Sequence, residues 1–424
     1  MAERIERNDL DSVQRAGREQ MEWYADGLDD DGGPYVWYTG GVPIEILYAM
    51  DLTPVMPENY VATMAARGRS GENLDAAYAM GWGQDVCSYC RQGFGMLSEE
   101  FDAADQLYGG LPDPDVLVTH RGTCDTQQEW FEEYNRQLDV PIHVIDVPQT
   151  GCRADEHPAD VEYYRRQLEE TVAFLETHTG RSADETALWR VIERSDRLGE
   201  LWKNLCASTA HSPAPFTVSD RFKLMGIPAL FAGTQRGVDL LAAVWSEVQE
   251  RIDAGVGAAA TETYRLLWDD IAIWYDLELL YRLESEGFVF VADTYSDPFG
   301  FLWKSHEYPS ESMVDYELDD PLAALARPYV RNLQRQWRVD RRLEYFPEWI
   351  DYFDVDGVVF HSNRSCRPYS LSQLLIQREL DVPNALVDAD HTDPHAFSES
   401  QAKLRLDAMK EQIRGRDAER GVPS

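Results

Sequence analysis

The sequence predicts an α/β protein of two domains, each built on a parallel sheet covered by helices on both faces. Three observations carry this expectation. Short runs apolar on both faces, such as FVFVADTY (288–295) and GVVFHS (357–362), alternate with helical patterns through the C-terminal half. A less regular version of the same alternation fills the N-terminal half. The segments DPDVLVTHRGTCD (113–125) and VDGVVFHSNRSCR (355–367) also share one plan: an acidic turn, an apolar strand, a histidine (His120, His361), a polar loop and a cysteine (Cys124, Cys366).

In chain order, residues 1–30 form an N-terminal helical segment. YVWYTGG (35–41) reads as a strand and VPIEILYAM (42–50) as a helix. LDAAYAMGWG (74–83) and the stretch from Asp85 to Leu97 are helical. VLVTH (116–120) is a strand, Gln127–Leu138 a helix and HVIDVP (143–148) a strand. Val161, Tyr164, Leu168, Val172 and Leu175 mark one stripe of an amphipathic helix. Leu188, Ile192, Leu198, Leu201 and Leu205 mark another, a helical bridge. SPAPF (212–216) reads as a linker, dividing the chain into a first domain over 31–211, with Cys87 and Cys124, and a second over 212–424, with Cys366.

YRLLWDD (264–270) is a strand, and the helix over 271–287 ends at the stop signal Gly287. After the strand at 288–295 come helices over 321–337 and 341–353. The strand at 357–362 precedes a helix over 370–380, NALVDAD (384–390) is a strand, and a helix over 394–413 follows. Such domains are Rossmann-like or flavodoxin-like, and their ligands bind outside the carboxyl ends of the strands. Two of them face to face present Cys124 and Cys366 to a shared cleft.

The composition narrows the function. In 424 residues there are 76 Asp plus Glu and 39 Lys plus Arg, a net charge of −37. Such a surface repels nucleic acid and anionic membranes. Hydrophobic residues at 44% suffice for packed cores. No apolar run is long enough for a membrane span, and the charged N-terminus lacks the apolar region of a secretory signal, so a cytoplasmic protein is expected. Only five of the basic residues are lysines (Lys203, Lys223, Lys304, Lys403, Lys410). This balance resembles proteins of halophiles, in which concentrated salt screens self-repulsion over about 3 Å.

Six cysteines stand at 87, 90, 124, 152, 206 and 366, and are expected as reduced thiols. Cys206 falls in an apolar helix stripe and Cys152 in a polar loop, and neither has a motif around it. Cys87, Cys124 and Cys366, gathered from distant loops, suit an iron–sulfur cluster or zinc, since thiolates are soft ligands. Cys87-x-x-Cys90 alone also fits a redox dithiol or half a zinc site. The chain has no P-loop. TGGVP (39–43) is too short for a phosphate loop. His391 and His395, separated by Pro394, read as solvated polar surface. Arg121, Arg153 and Arg367 are candidates for phosphate contacts.

At CSYCR (87–91), TCD (123–125), IDVP (145–148), DGVVFHSNRSCRPYSLSQ (356–373) and VDADHTDPHAFSESQAKLRLDAMKE (387–411), together with PIEILYAMDLTPV, the sequence resembles the 2-hydroxyacyl-CoA dehydratase and benzoyl-CoA reductase subunits. The resemblance covers most of the chain. NRSCRPYS and the DADHTDP…FSESQ ending lean toward the benzoyl-CoA reductase branch.

The resemblance implies a subunit of two α/β domains carrying one [4Fe–4S] cluster on Cys87, Cys124 and Cys366. It also implies a heterodimer with a paralogous second subunit, and a separate ATP-dependent iron–sulfur activator that delivers low-potential electrons. An electron placed on the thioester carbonyl of an acyl-CoA gives a ketyl radical, from which an α-hydroxyl leaves or an aromatic ring is reduced. Ser88, Tyr89, Arg91, Asp125 and Ser365, beside the cysteines, are candidates for tuning the cluster. Cys90 departs from the three-cysteine pattern and is a possible extra ligand. Two alternatives stay open: a double-cubane-cluster reductase of small molecules, and a metal-free α/β partner or scaffold subunit.

Overall fold

The computed structural model describes residues 8–25, 28, 33–99, 101, 106–149, 157–335 and 338–420. Two four-stranded parallel sheets organise the chain. The first contains β1 (Tyr35–Tyr38), β2 (Thr53–Val55), β3 (Val116–His120) and β4 (Ile142–Ile145), in the order β2-β1-β3-β4. The second contains β5 (Tyr264–Asp269), β6 (Phe288–Asp293), β7 (Gly357–Asn363) and β8 (Asn384–Ala389), in the order β6-β5-β7-β8. The same order occurs twice, so the echo between 113–125 and 355–367 reflects topology: β3 and β7 are equivalent strands. Val36 pairs with Val116 in the first sheet and Leu266 with Gly357 in the second.

The strands are apolar because both faces are covered. All residues of β3, β5 and β6 are buried. The sequence pattern does not reveal β2. It is three residues long and contains Pro54, which an edge strand tolerates because its free side needs no amide donor.

The helix expected over 271–287 is two pieces, a 3₁₀ turn at Trp274–Asp276 and a helix at Glu278–Ser285, with Ile271–Ile273 a buried loop. The closing helix begins at Glu399, not at 394. Before it, Pro394–Ala396 forms one 3₁₀ turn whose amide at His395 donates to the Asp393 carboxylate at 3.0 Å.

The bridge helix Glu185–Ser208 packs on the helix Ile44–Ala49 of the first half and reaches the loop after β6. There Trp202 Nε1 donates to the Ser296 carbonyl at 2.9 Å, and Lys203 Nζ lies 2.9 Å from the Asp297 carboxylate. The N-terminal helix Asp11–Ala25 docks on the helix Gln235–Ala254, where Ser12 N donates to Glu247 at 2.9 Å. Among the described residues no helix is long and apolar enough to cross a membrane.

One close approach positions the segment that carries Cys87. The helices Ser70–Ala79 and Ser88–Met96 meet at Gly95, where a Cβ would lie 1.9 Å from the Asn73 carbonyl oxygen. In an ordinary helix Gly→Ala stabilises by about 1 kcal/mol. Here the sign reverses: Gly95→Ala is expected to destabilise by about 1–3 kcal/mol, read as a lower urea midpoint at unchanged slope.

Candidate active site at the meeting of the two sheets

In each sheet the strand order reverses between the first strand and its inner neighbour, β1/β3 and β5/β7. A crevice forms outside the carboxyl ends at such a point. Here the two crevices open into a single cavity of about 110 Å³. Gly40 follows β1, Thr123 and Cys124 follow β3, Ile271 follows β5, and Cys366 follows β7; all of them line it. Cys87 lines it from the helix inserted between β2 and β3.

Each of these three cysteines is the N-cap residue of a helix: Cys87 of Ser88–Met96, Cys124 of Asp125–Leu138 and Cys366 of Arg367–Glu379. First-turn amides therefore face each sulfur. Those of Tyr89 and Cys90 face Cys87, those of Thr126 and Gln127 face Cys124, and that of Tyr369 faces Cys366. Positive helix ends of this kind favour thiolate. Burial wins nonetheless. It pushes Cys124 up to about 12 and raises Cys87 and Cys366 well above the ordinary thiol value, with repulsion from Cys124 adding at Cys87 and from Asp270, Cys87 and Cys124 at Cys366. Without a cation the three sit as neutral thiols.

Much of the remaining wall is aromatic: Tyr89, Trp130, Trp274, Tyr295, Phe299, Phe301 and Tyr369. Trp274 Nε1 donates to the Tyr89 hydroxyl, which satisfies both groups. One carboxyl stands in this apolar space. Glu58, on the first turn of the helix Pro57–Ala66, accepts from Gly40 N at 2.7 Å and from Gln127 Nε2 at 2.5 Å. Burial raises its pKa above the ordinary 4.5 despite these two bonds. Nothing in the local sequence singles out Glu58 beyond its place three residues after a strand.

His391 is a second residue missed. Expected on the surface, it is fully buried beside Cys87: Nε2 lies 3.0 Å from Ser88 Oγ and 3.6 Å from Cys87 Sγ, and Nδ1 lies 3.1 Å from Asn363 Oδ1. The turn at Pro394 folds this segment inward instead of continuing a helix. His395 does stand exposed, 3.1 Å from Asp393.

Of the other candidates, Ser88, Arg91 and Ser365 are buried in one polar network behind the cavity. Ser88 N donates to Ser365 Oγ at 3.2 Å, Ser365 donates to Asp390, and Arg91 Nη2 lies 2.9 Å from Asp393. Asp125 is exposed, accepting from the amide of Thr126 at 3.0 Å. Cys90 is buried in the core one turn beyond Cys87 and does not line the cavity. Cys206 is buried in the bridge helix. Arg121 and Arg367 are exposed and line no part of the cavity. Cys152 and Arg153 lie outside the described residues.

The two echoed histidines have matching structural tasks. His120 Nε2 is 2.6 Å from the Gly40 carbonyl and His361 Nδ1 is 2.7 Å from that of Ile271, so each ties its strand to the loop after the neighbouring strand. Burial lowers both to about 4, which keeps them neutral.

The model of the 2-hydroxyglutaryl-CoA dehydratase D-component family matches residues 39–413. The chain belongs to that family. It is 28% identical to the (R)-2-hydroxyisocaproyl-CoA dehydratase alpha subunit of Clostridioides difficile over 92% of this chain and 93% of the relative. It is 27% identical to the (R)-phenyllactyl-CoA dehydratase alpha subunit of Clostridium sporogenes over 88% of each. With a benzoyl-CoA reductase subunit of Thauera aromatica it shares 24% over 87% of this chain and 86% of the relative. The chain is thus an enzyme subunit of the 2-hydroxyacyl-CoA dehydratase and benzoyl-CoA reductase group.

The raised thiols make a direct expectation for the metal-free chain. Alkylation of Cys124 by iodoacetamide should be slow at neutral pH and accelerate about tenfold per pH unit without levelling below pH 10. Peptide mass spectrometry at a series of pH values reads it; a plateau near pH 8 would mean an ordinary exposed thiol.

Proposed function

We propose that this subunit holds a [4Fe–4S] cluster on Cys87, Cys124 and Cys366 and acts on an acyl-CoA thioester by one-electron chemistry. The observation that carries the reading is the convergence of these three thiols, from both halves of the chain, on one largely apolar cavity. Among the described residues no three His, Cys, Asp or Glu side chains are close enough to grip a single metal ion. Three thiolates on one cavity suit an iron–sulfur cluster, in which each thiolate takes its own iron. The donor set is soft, and first-turn amides are placed to hydrogen-bond its sulfurs. Cys90 stays outside the ligand set in this reading. When bound, the cluster supplies single electrons of low potential, which side chains cannot.

The chain's own residues do the rest. The aromatic wall excludes water and strengthens electrostatic interactions inside. Glu58, with its raised pKa, holds or releases a proton at the cavity, oriented by Gly40 N and Gln127. His391 and Ser88 fix Cys87 from behind. A proton-holding carboxyl suits loss of an α-hydroxyl, and the higher identities are to dehydratase alpha subunits. We therefore place the chain on the dehydratase side. The second reading, reduction of an aromatic acyl-CoA, is favoured by NRSCRPYS and the FSESQ ending. Product analysis separates the two: water lost from a 2-hydroxyacyl-CoA, or a dearomatised ring. Relatives named as alpha subunits support a paralogous partner chain, and the chemistry calls for an ATP-dependent activator as electron donor in a reducing cytoplasm.

Anaerobic purification should give a brown protein with about four irons per chain. Cys124→Ser and Cys366→Ser should lose that iron, while Cys90→Ser keeps it. A colourless, iron-free preparation overturns the proposal. Glu58→Gln should keep the iron and lower kcat about 100-fold with KM little changed.

A further inference from the structure

A smaller pocket, of about 30 Å³, adjoins the cysteine cavity. Gly40, Met56, Ala229, Phe299 and Phe301 line both, so the two spaces abut at the loop after β1. None of the three thiols lines the smaller one, which is closed by Ser195 and Leu198 of the bridge helix.

Its wall carries a second buried acid. Glu45, in the first turn of the helix Ile44–Ala49, lines the pocket and is 1% exposed. Its Oε2 accepts from the Tyr329 hydroxyl at 2.8 Å. Among the described residues no cation faces it; the groups around it are the hydroxyls of Tyr38, Tyr164, Ser195 and Tyr329. Burial raises its pKa above the ordinary 4.5. Ser195 and Tyr164 are buried beside it, and neither hydroxyl closes a hydrogen bond of full geometry within the chain. A first-turn acid gains from the helix end at the surface as well, without giving up its hydration, so the helix does not account for this burial. Water needs about 10–15 Å³ and two to four polar partners, and a pocket of this size and lining has room for about two molecules.

Tyr38 links the pocket to the site. Its hydroxyl donates to the Ala229 carbonyl, and it lies within electrostatic reach of both Glu45 and Glu58. Glu58 in turn accepts from the amide of Gly40, which lines both spaces.

We propose that the inner pocket is a water site through which Glu45 and Glu58 share a proton. Its use rests on the dehydratase reading above. Loss of water from a 2-hydroxyacyl-CoA needs one proton for the departing hydroxyl and releases one from the β-carbon. Glu58 gives its proton to the hydroxyl, which leaves as water. The negative charge left in the dry cavity is then shared with Glu45, whose proton moves through the pocket water toward Glu58. Glu58 faces the substrate and takes the β-proton, and both acids are restored. Neither carboxyl gains or loses an electron.

Infrared spectroscopy of the full chain on transfer from H₂O to D₂O tests the water site without turnover. A protonated carboxyl gives a C=O band that moves on deuteration. Glu45→Gln should remove one such band and Glu58→Gln another, and the Glu45 band of the wild type should move within minutes. Ser195→Val fills the pocket with methyl groups. It should slow exchange of the Glu45 band at least about tenfold and leave that of Glu58 within about twofold. Ala229→Val, at the wall between the two spaces, is the second plug should the first lower the thermal midpoint. In turnover of a 2-hydroxyacyl-CoA, Glu45→Gln should lower kcat about tenfold with KM little changed, and Glu45→Asp should recover part of the loss. Gln is neutral, has the same shape and still accepts from Tyr329, so it would replace a merely structural acid without loss.

The proposal is overturned if Glu45→Gln removes no band, if the Glu45 band of the wild type does not move, if both plugs leave its exchange unchanged, or if Glu45→Gln keeps full kcat. An iron-free chain would sink the cluster and leave the infrared result to decide the water site, so the two failures are distinct.

Discussion

A buried polar seam between the two halves sets everything at the cavity. From the first half comes the helix Ser88–Met96; from the second come the loops after β7 and β8. Ser88 N meets Ser365 at 3.2 Å, Thr392 Oγ1 donates to Ser88 Oγ at 2.7 Å, His391 reaches the same hydroxyl at 3.0 Å, and Arg91 lies 2.9 Å from Asp393. All six residues are buried. In such surroundings an unmatched donor or acceptor costs about 1–3 kcal/mol, so only one alignment of the halves satisfies the set. A buried ion pair like Arg91–Asp393 adds little net stability once desolvation is counted. Its effect is on register. Cys87 immediately precedes Ser88 and Cys366 immediately follows Ser365, so the seam fixes two of the three sulfurs by peptide bonds.

Two opposed influences act on those sulfurs. Helix N-termini and first-turn amides pull them toward thiolate, while burial and neighbouring negative groups hold them as thiols. The balance favours the neutral form when nothing else is present. A cation shared among them would reverse it, because each thiolate then gains an attractive partner in place of neighbouring negative charge. The same dry wall that penalises an isolated charge strengthens a paired one.

Much of the architecture was legible because parallel strands buried on both faces leave unmistakable apolar runs. β3, β5, β6 and β7 stand where LVT, LLW, FVFV and GVVF are read in the sequence. The matched His within β3 and β7 and the Cys after each carried the duplication. What stayed hidden depended on turns and on long-range contacts. β2 is too short and contains a proline. His391 sits among polar residues, HTDPH, that resemble a surface loop, and only its hydrogen bonds to Ser88 and Asn363 make burial tolerable. Glu58 looks like any acid in a helix's first turn until Gly40 and Gln127, from two other segments, close around it.

The duplication also shows why the cavity is not symmetric. Equivalent strands β3 and β7 each contribute one cysteine at the start of the following helix. The third thiol has no counterpart. Between β2 and β3 the first half inserts the helices Pro57–Ala66, Ser70–Ala79 and Ser88–Met96, and these supply Glu58 and Cys87. At the equivalent place, after β6, the second half supplies Tyr295, Pro298, Phe299 and Phe301. One half thus brings two thiols and the carboxyl, and the other brings one thiol and much of the apolar wall. Perfect two-fold copies would place like groups opposite each other, with either two acids facing across a dry space or none. The unequal insertions avoid both outcomes. They leave one titratable carboxyl, Glu58, in a cavity lined from both halves.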